Sequence, residues 1–508
     1  MRFFLAAFAA FTFVPAEVVL PYEMPRARNS TVVRVYRDKS ARHLPRRFLS
    51  VALDTAHVVG APFWGNATAE QGMVNLADPT LRRLAAAIGP SYLRVGGTDA
   101  DRVVYDLRSS PTPSVVANGV KTITAARWGE LADFATAIDF QLMFTLNFGP
   151  ASRDENGDWD PDSASALVAH ARRRGDPVAV WEAGNELNAF LLLHKQWLRP
   201  SRYVTDVSRL RDLIARTMPG ARVAGPAVAF WPGVGEGIPF MNAFLSEVGG
   251  GIDIVTWHYY PTQSSHCPVS TSPALPDHLL TPYRLDEIKR WTSLVKKATE
   301  DNGHPIEIWL GETGSAQCGG ESGYSDTFAS SFWWLDELGL MARSGQAVVI
   351  RQALIGGAYG LIDLSTLRPR PDYWATLLWR RLMGPRVLDV ASRDADQPLR
   401  VYAHCTADAS NGAVTILLMN LHGRQSTRVF LPDVAGPVEL YDVSADSIHS
   451  GELRLGRDPL KLGAGSALPE LRPEVGTPAL TGGVTSLVIQ PESIVFAVFR
   501  DADLPACH

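Results

Sequence analysis

The run Val178-Ala179-Val180-Trp181-Glu182-Ala183-Gly184-Asn185-Glu186 is a hydrophobic, strand-like segment that ends on a carboxylate, and Ile306-Glu307-Ile308-Trp309-Leu310-Gly311-Glu312-Thr313 repeats the design. Two glutamates placed this way suit cleavage of a glycosidic acetal. The oxocarbenium-like transition state needs an acid at the leaving oxygen and a second carboxylate at the anomeric carbon. Glu186 and Glu312 are 312 − 186 = 126 residues apart, about the span of three βα units in a (β/α)8 barrel of about 250 residues. That spacing puts them at the ends of strands 4 and 7.

Short β-rich runs alternate with longer amphipathic ones between residues 48 and 385, the pattern of βα repetition. The expected strands are Phe48 to Asp54, Tyr92 to Gly96, Gln141 to Asn147, Val178 to Ala183, Arg222 to Gly225, Ile252 to Trp257, Ile306 to Leu310 and Ala347 to Gln352. Eight strands close a TIM barrel. In Leu285 to Asn302 and Ser325 to Arg343 apolar residues recur every three to four positions, which marks outer helices. Beyond Leu388 the chain turns to short strands separated by Gly, Pro and Asp, as in Val414 to Asn420, Val438 to Tyr441 and Thr485 to Phe499. This implies a smaller antiparallel β-sandwich. Thr31 to Arg37 precedes the barrel and is expected to lend it a strand.

The division is therefore 1–16 as a leader, 17–47 as an N-terminal segment given to the sandwich, 48–385 as the barrel and 386–508 as the sandwich. At 508 residues, with 46% hydrophobic and 20% charged residues, the chain is long enough for both cores and has a globular composition. A net charge of −5 offers no broadly basic surface, so nucleic acid is not an expected partner and any polyanion needs a local basic cleft. Met1-Arg2-Phe3-Phe4-Leu5 opens an apolar stretch to Val14, followed by Pro15-Ala16. It reads as a secretory signal peptide; as a membrane anchor, the alternative, it is too short and is broken by Pro15.

In an exported protein the four cysteines read as two disulfides. Cys405 with Cys507 would pin the terminal tail to a sheet. Cys267 with Cys318 would join the loops after strands 6 and 7, with free thiols as the alternative. Asn29-Ser30-Thr31 and Asn66-Ala67-Thr68 are glycosylation sequons. The Ser- and Pro-rich stretch Pro261 to Tyr283 exceeds an ordinary connector and is expected to be a rim loop shaping a cleft.

Barrel sites lie at the C-terminal ends of the strands. Read in order, those ends carry Asp54, Arg94 with Gly96-Gly97-Thr98, Asn147, Asn185-Glu186, His258-Tyr259-Tyr260, Glu312 and Gln352. Strand ends are exposed and often polar, so Asp54 or Thr98 alone carries little weight. The two glutamates, each behind a Trp-containing strand, carry the argument.

The phrases Phe48-Leu49-Ser50-Val51, Tyr92-Leu93-Arg94-Val95-Gly96-Gly97-Thr98, Gly184-Asn185-Glu186, Thr256-Trp257-His258, Trp309-Leu310-Gly311-Glu312-Thr313, Ser325-Asp326-Thr327-Phe328-Ala329, Pro371-Asp372-Tyr373-Trp374 and Leu399-Arg400-Val401-Tyr402 with His404-Cys405-Thr406 resemble the heparanase family of endo-β-glucuronidases. The resemblance implies a retaining hydrolase with Glu186 as acid/base and Glu312 as nucleophile. Arg94 would keep Glu312 ionised and Tyr260 would donate to it. Asn185 would bond the sugar 2-hydroxyl, and Asp54 and Thr98 match sugar-contacting positions. The uronate carboxylate would meet a glycine turn after the nucleophile, here Gly319-Gly320, and Tyr359 on the strand 8 loop. This chain departs from the family by carrying Cys318 at the first position of a three-glycine run, after Gln317 in place of an aromatic residue. No cofactor and no metal are expected.

A second departure concerns cations. The family lines a long cleft with lysines and arginines, whereas this chain is sparse there, with Lys121 and Arg127 in the loop after strand 2 and Ser264-Ser265-His266 in the strand 6 loop. Arg102 to Arg127 is also too short to hold the excised linker of the vertebrate proenzyme, so one uncut, monomeric chain is expected. Three readings follow. One is an endo-β-glucuronidase on heparan sulfate, secreted or in the extracellular matrix, with the lysosome as alternative. The others are an exo-β-glucuronidase on less sulfated glycans and a non-catalytic heparan sulfate-binding relative.

Overall fold

The computed structural model describes residues 29–64, 72–108, 121–230, 237–303, 306–392, 398–407, 411–481 and 483–508. The leader and the sequon at Asn66 lie outside these residues; Asn29 sits exposed in a turn. Among the described residues, no helix is long and apolar enough to cross a membrane.

Eight parallel strands close into a barrel in chain order: β1 (Leu49–Asp54), β2 (Ser91–Gly96), β3 (Phe140–Leu146), β4 (Val178–Ala183), β5 (Arg222–Phe230), β6 (Ile254–Tyr259), β7 (Glu307–Thr313) and β8 (Val348–Arg351). Side chains of a strand alternate between faces. The inward positions Ala52, Met143, Val180, Ala224, Ile254, Trp309, Val348 and Ile350 form one apolar plug, with Tyr92 packed against it. The intervening residues, such as Val51, Trp181, Val255 and Leu310, belong to the larger core beneath the helices. Two residues beyond the plug the same inward phase reaches Asp54, Arg94, Thr145, Glu182 and Gln352. The polar ring is thus the layer of the barrel interior just above its apolar floor.

Glu312 reaches that layer by a different route. Simple alternation from inward-facing Trp309 would point Glu312 outward. Instead the pairing of β7 with β6 shifts between Leu310 and Glu312, so that Glu312 lies opposite His258. The extra residue is Gly311, and a bulge of this kind re-aims the side chain that follows it. A Cβ on Gly311 would lie 3.2 Å from Cβ of Thr256, so the bulge has little room for anything larger.

The second sheet is antiparallel except at one junction. It runs Val438–Ser444, Ser493–Phe499, Val414–Asn420, Leu399–Thr406 and Met383–Ser392 to the N-terminal strand Ser30–His43, then on to Thr427–Leu431 and Val484–Ile489. The expected single run of Thr485 to Phe499 is therefore two strands. Val33 to His43 pair with Met383–Ser392, whereas Ser30 to Val32 pair in parallel with Thr427–Leu431, so one long strand serves both halves of the sandwich. Between the halves pack Val33, Leu388, Ile416, Val429, Leu487 and Phe499. Cys405 is bridged to Cys507.

The helix Phe328–Ser344 is wedged between barrel and sandwich, and it is buried from Phe328 to Ala342. A helix covered on both sides is apolar nearly all round. A Cβ on Gly339 would fall 2.4 Å from the Tyr402 ring, and Arg400 Nε bonds Asp336 at 2.6 Å. These contacts lock the two cores together.

Candidate active site

At the mouth of the barrel one buried guanidinium organises three strands. Arg94 donates from Nε to Glu182 Oε2 (2.8 Å), from Nη1 to Glu312 Oε2 (2.6 Å) and from Nη2 to Asn185 Oδ1 (2.8 Å). Neither Arg94 nor Glu182 is exposed to solvent. Glu182 also accepts from Thr145 Oγ1 at 2.6 Å. Arg94 thus balances two acidic groups at once. Its planar fork suits that task where an ammonium would not.

Glu312 has a donor on each oxygen, because the Tyr260 hydroxyl donates to Oε1 at 2.7 Å. Burial pushes its carboxyl up, but His258, Arg94 and the Tyr260 hydrogen bond outweigh burial and hold it below the usual carboxylate value. Burial and the charge of Glu312 push the Tyr260 phenol well above its ordinary value, so it remains a donor.

Glu186 is held by its backbone. It adopts the left-handed conformation (φ 53°, ψ 52°), with its N–H donating to Ala227 O at 2.9 Å. Just before it, Asn185 N–H donates to Asp101 Oδ2 at 2.9 Å, and the other oxygen of Asp101 accepts from Phe148 N–H at 2.7 Å. Among the described residues the Glu186 carboxylate has one long contact, 3.3 Å from Oε1 to His258 Nδ1. His258 Nε2 lies 3.4 Å from Arg94 Nη2. Burial raises the Glu186 carboxyl above its ordinary value, and the Glu312 charge adds to that against the opposing effect of His258. One oxygen each of Glu186 and Glu312, with a ring nitrogen of His258, lie within 4.8 Å of one another. Of this trio Arg94 bonds Glu312 at 2.6 Å and stands 3.4 Å from His258 Nε2.

Around this pair stand the other expected residues. Asp54 accepts from Ala56 N–H and from Gln352 Nε2, each at 2.9 Å. Burial, with Asp99 and Glu312 nearby, pushes its carboxyl up to about 8. Gln352 Nε2 also reaches the Tyr359 hydroxyl at 3.3 Å, and the Tyr359 and Tyr260 rings are 6.4 Å apart. Gly319 and Gly320 have φ of 88° and 81°, and a Cβ on Gly320 would fall 2.6 Å from Tyr359 N. The glycine turn and Tyr359 therefore adjoin. Thr98 opens a half-buried 3₁₀ turn, Thr98–Arg102, directly after β2. Cys267 is bridged to Cys318.

Asp101, Glu182 and Thr145 were not singled out from sequence. Glu182 was detectable, because it shares the inward phase of Val180. Asp101 had no such signal, since it lies in an irregular turn. Of the cations that follow β2, Arg127 lies in the helix Ala125–Ala137 and is spent on the fold, donating to Val58 O, Val74 O and Glu130, while Arg102 and Arg108 pair with Asp99 and Asp106.

The family model "Glycosyl hydrolase family 79, N-terminal domain" matches residues 60–339. The chain belongs to glycosyl hydrolase family 79. Heparanase of Mus musculus is 29% identical over 526 residues, covering 93% of each chain. A relative named inactive heparanase-2, from Homo sapiens, is 28% identical over 412 residues, covering 76% of this chain and 66% of that one. Among solved structures, a 4-O-α-L-rhamnosyl-β-D-glucuronidase from Fusarium oxysporum superposes with a TM-score of 0.67 at 18% identity, covering 92% of this chain and 99% of that one. At that identity the likeness speaks for a shared fold.

Proposed function

We propose that this family 79 chain is an exported, single-chain retaining β-glucuronidase that cleaves within heparan sulfate. Barrel 48–385 would carry the chemistry, sandwich 17–47 plus 386–508 would support it, and residues 1–16 would be removed. The observation that carries the proposal is the pairing of a doubly hydrogen-bonded, ionised Glu312 with a barely solvated Glu186 whose oxygen is within 4.8 Å of it. Retaining glycosidases hold their carboxyl groups about 5 to 5.5 Å apart, and inverting ones about 6.5 to 9.5 Å.

In the first step a Glu312 oxygen attacks C1 as the C1–O bond to the leaving sugar breaks, and Glu186 gives its proton to the departing oxygen. A glycosyl ester on Glu312 results. In the second step water loses a proton to Glu186 and attacks C1, which frees Glu312. Asn185, oriented by Arg94, would bond the 2-hydroxyl. Tyr359 and the amides of Gly319 and Gly320 would take the uronate carboxylate, and Asp54 and Thr98 the remaining hydroxyls.

The exo reading on less sulfated glycans draws on one observation: of the cations after β2, Arg127 is turned inward and Arg102 and Arg108 are paired with Asp99 and Asp106. A non-catalytic role is disfavoured by the presence of both carboxylates in working geometry. Incubation with heparan sulfate and with 4-nitrophenyl β-D-glucuronide separates these readings. Mid-sized fragments support endo cleavage and release of monosaccharide alone supports exo cleavage. No turnover of either substrate would refute a glucuronidase.

A further inference from the structure

We propose that the Cys267–Cys318 bridge is a specificity device that fixes the Gly319–Gly320 amides toward a substrate carboxylate; this rests on the glucuronidase reading above. Cys318, Gly319 and Gly320 are three consecutive residues in the left-handed region, with φ of 61°, 88° and 81°. Glycine occupies that region freely but is equally free to leave it. A residue with a side chain is disfavoured there. The three residues have a single side chain between them, the sulfur of Cys318, and it is tied to a loop 51 residues upstream.

That upstream loop is itself anchored at its base. Gln317 N–H donates to Thr262 O at 2.9 Å, Ser264 N–H to Gln317 O at 3.2 Å, and Ser264 Oγ to Cys318 O at 3.1 Å. These bonds fix the chain as far as the Cys318 carbonyl. Beyond it the turn has one backbone tie among the described residues, from Ala358 N–H to Gly319 O at 2.7 Å. The bridge is therefore placed to hold residue 318 left-handed and to stop the following peptides from rotating. On the other side the turn meets Phe63, 3.2 Å from a Cβ built on Gly319, and Tyr359. Through Tyr359 it adjoins Gln352 and Asp54, so a rotated peptide would be felt as lost ground-state binding more than as lost chemistry.

The test compares three double variants with wild type on 4-nitrophenyl β-D-glucuronide, using free glucuronate as a competitive inhibitor. For C267S/C318S, KM and the glucuronate inhibition constant should both rise about tenfold, the loss of roughly one charge-assisted hydrogen bond. The pH profile should stay in place. C405S/C507S, which opens the bridge in the sandwich, should melt at lower temperature with KM unchanged. C267S/C318G serves where serine in a left-handed position prevents folding, and it too should show the raised constants. Wild-type constants in either variant lacking the Cys267–Cys318 bridge, with only the melting temperature lowered, would reduce that bridge to a staple and overturn the inference. Failure of the wild type to cleave the glucuronide would be seen before any substitution; it would overturn the glucuronidase reading and this inference with it.

Discussion

The ends of β4 and β7 deliver carboxylates to the same place by opposite means. At β4 the backbone does the positioning: Asp101 clamps Asn185, the chain turns left-handed at Glu186, and the carboxylate is left with one long contact to His258. At β7 a bulge at Gly311 turns Glu312 inward, and side chains then hold both of its oxygens. Backbone positioning fixes where a carboxyl sits without solvating its charge, so burial raises its pKa. Side-chain positioning solvates the charge and lowers it. Two glutamates in one cavity are thereby shifted in opposite directions, the division on which the proposed mechanism depends.

The sharpest way to break this comparison is to remove one member. Glu312→Gln should lower kcat by about ten-thousandfold or more while leaving circular dichroism and melting behaviour near wild type. Retained turnover would mean that the anion at β7 is not the nucleophile. Arg94→Met should instead strike the fold, because it strands Glu182 and Glu312 as buried, unbalanced charges. Removing one partner of a buried pair costs about 3 to 5 kcal/mol, measurable by urea denaturation. Adding Glu182→Gln to Arg94→Met should recover part of that stability without recovering turnover.

Glu186→Gln should cost about 10² to 10⁴ in kcat on the natural glycan, the usual worth of a general acid. It should cost less on 4-nitrophenyl glucuronide, whose leaving group needs little protonation. Tyr260→Phe tests the smallest increment. The hydroxyl donates to the ionised form of Glu312, so its loss raises the Glu312 pKa. Activity requires that form, and the acidic limb of kcat/KM should move to higher pH. The alkaline limb, set by the raised pKa of Glu186, should stay where it is. Movement of the alkaline limb alone would reverse the two roles.

Most of this architecture could be read from period-two alternation. Val178, Val180 and Glu182 share a face, as do Ala52 and Asp54, so the barrel, its plug and much of the polar ring follow from strand pattern and chain order. The bulge at Gly311 could not be read that way. Alternation alone turns Glu312 outward; its place at the end of a strand-like run and its spacing from Glu186 marked it, but not how it comes to face inward. Asp101 escaped because a turn residue that accepts from two backbone N–H groups has no periodic signature. The double service of the Ser30–His43 strand was half visible: its pairing with the sandwich followed from its β-rich composition, but nothing in that composition marks the change of partner at Val33. Arg127 shows the converse error, since a cation counted toward the cleft in sequence is bonded inward to Val58 and Val74.

Whether Glu186 and Glu312 stand close enough for attack by the carboxylate itself is read from the configuration of the first product. Proton NMR of early turnover of a β-glucuronide should show β-glucuronic acid appearing first and mutarotating to the α anomer afterwards. First appearance of the α anomer would show that water attacks directly from the opposite face, which this pair of carboxylates, as described, does not allow.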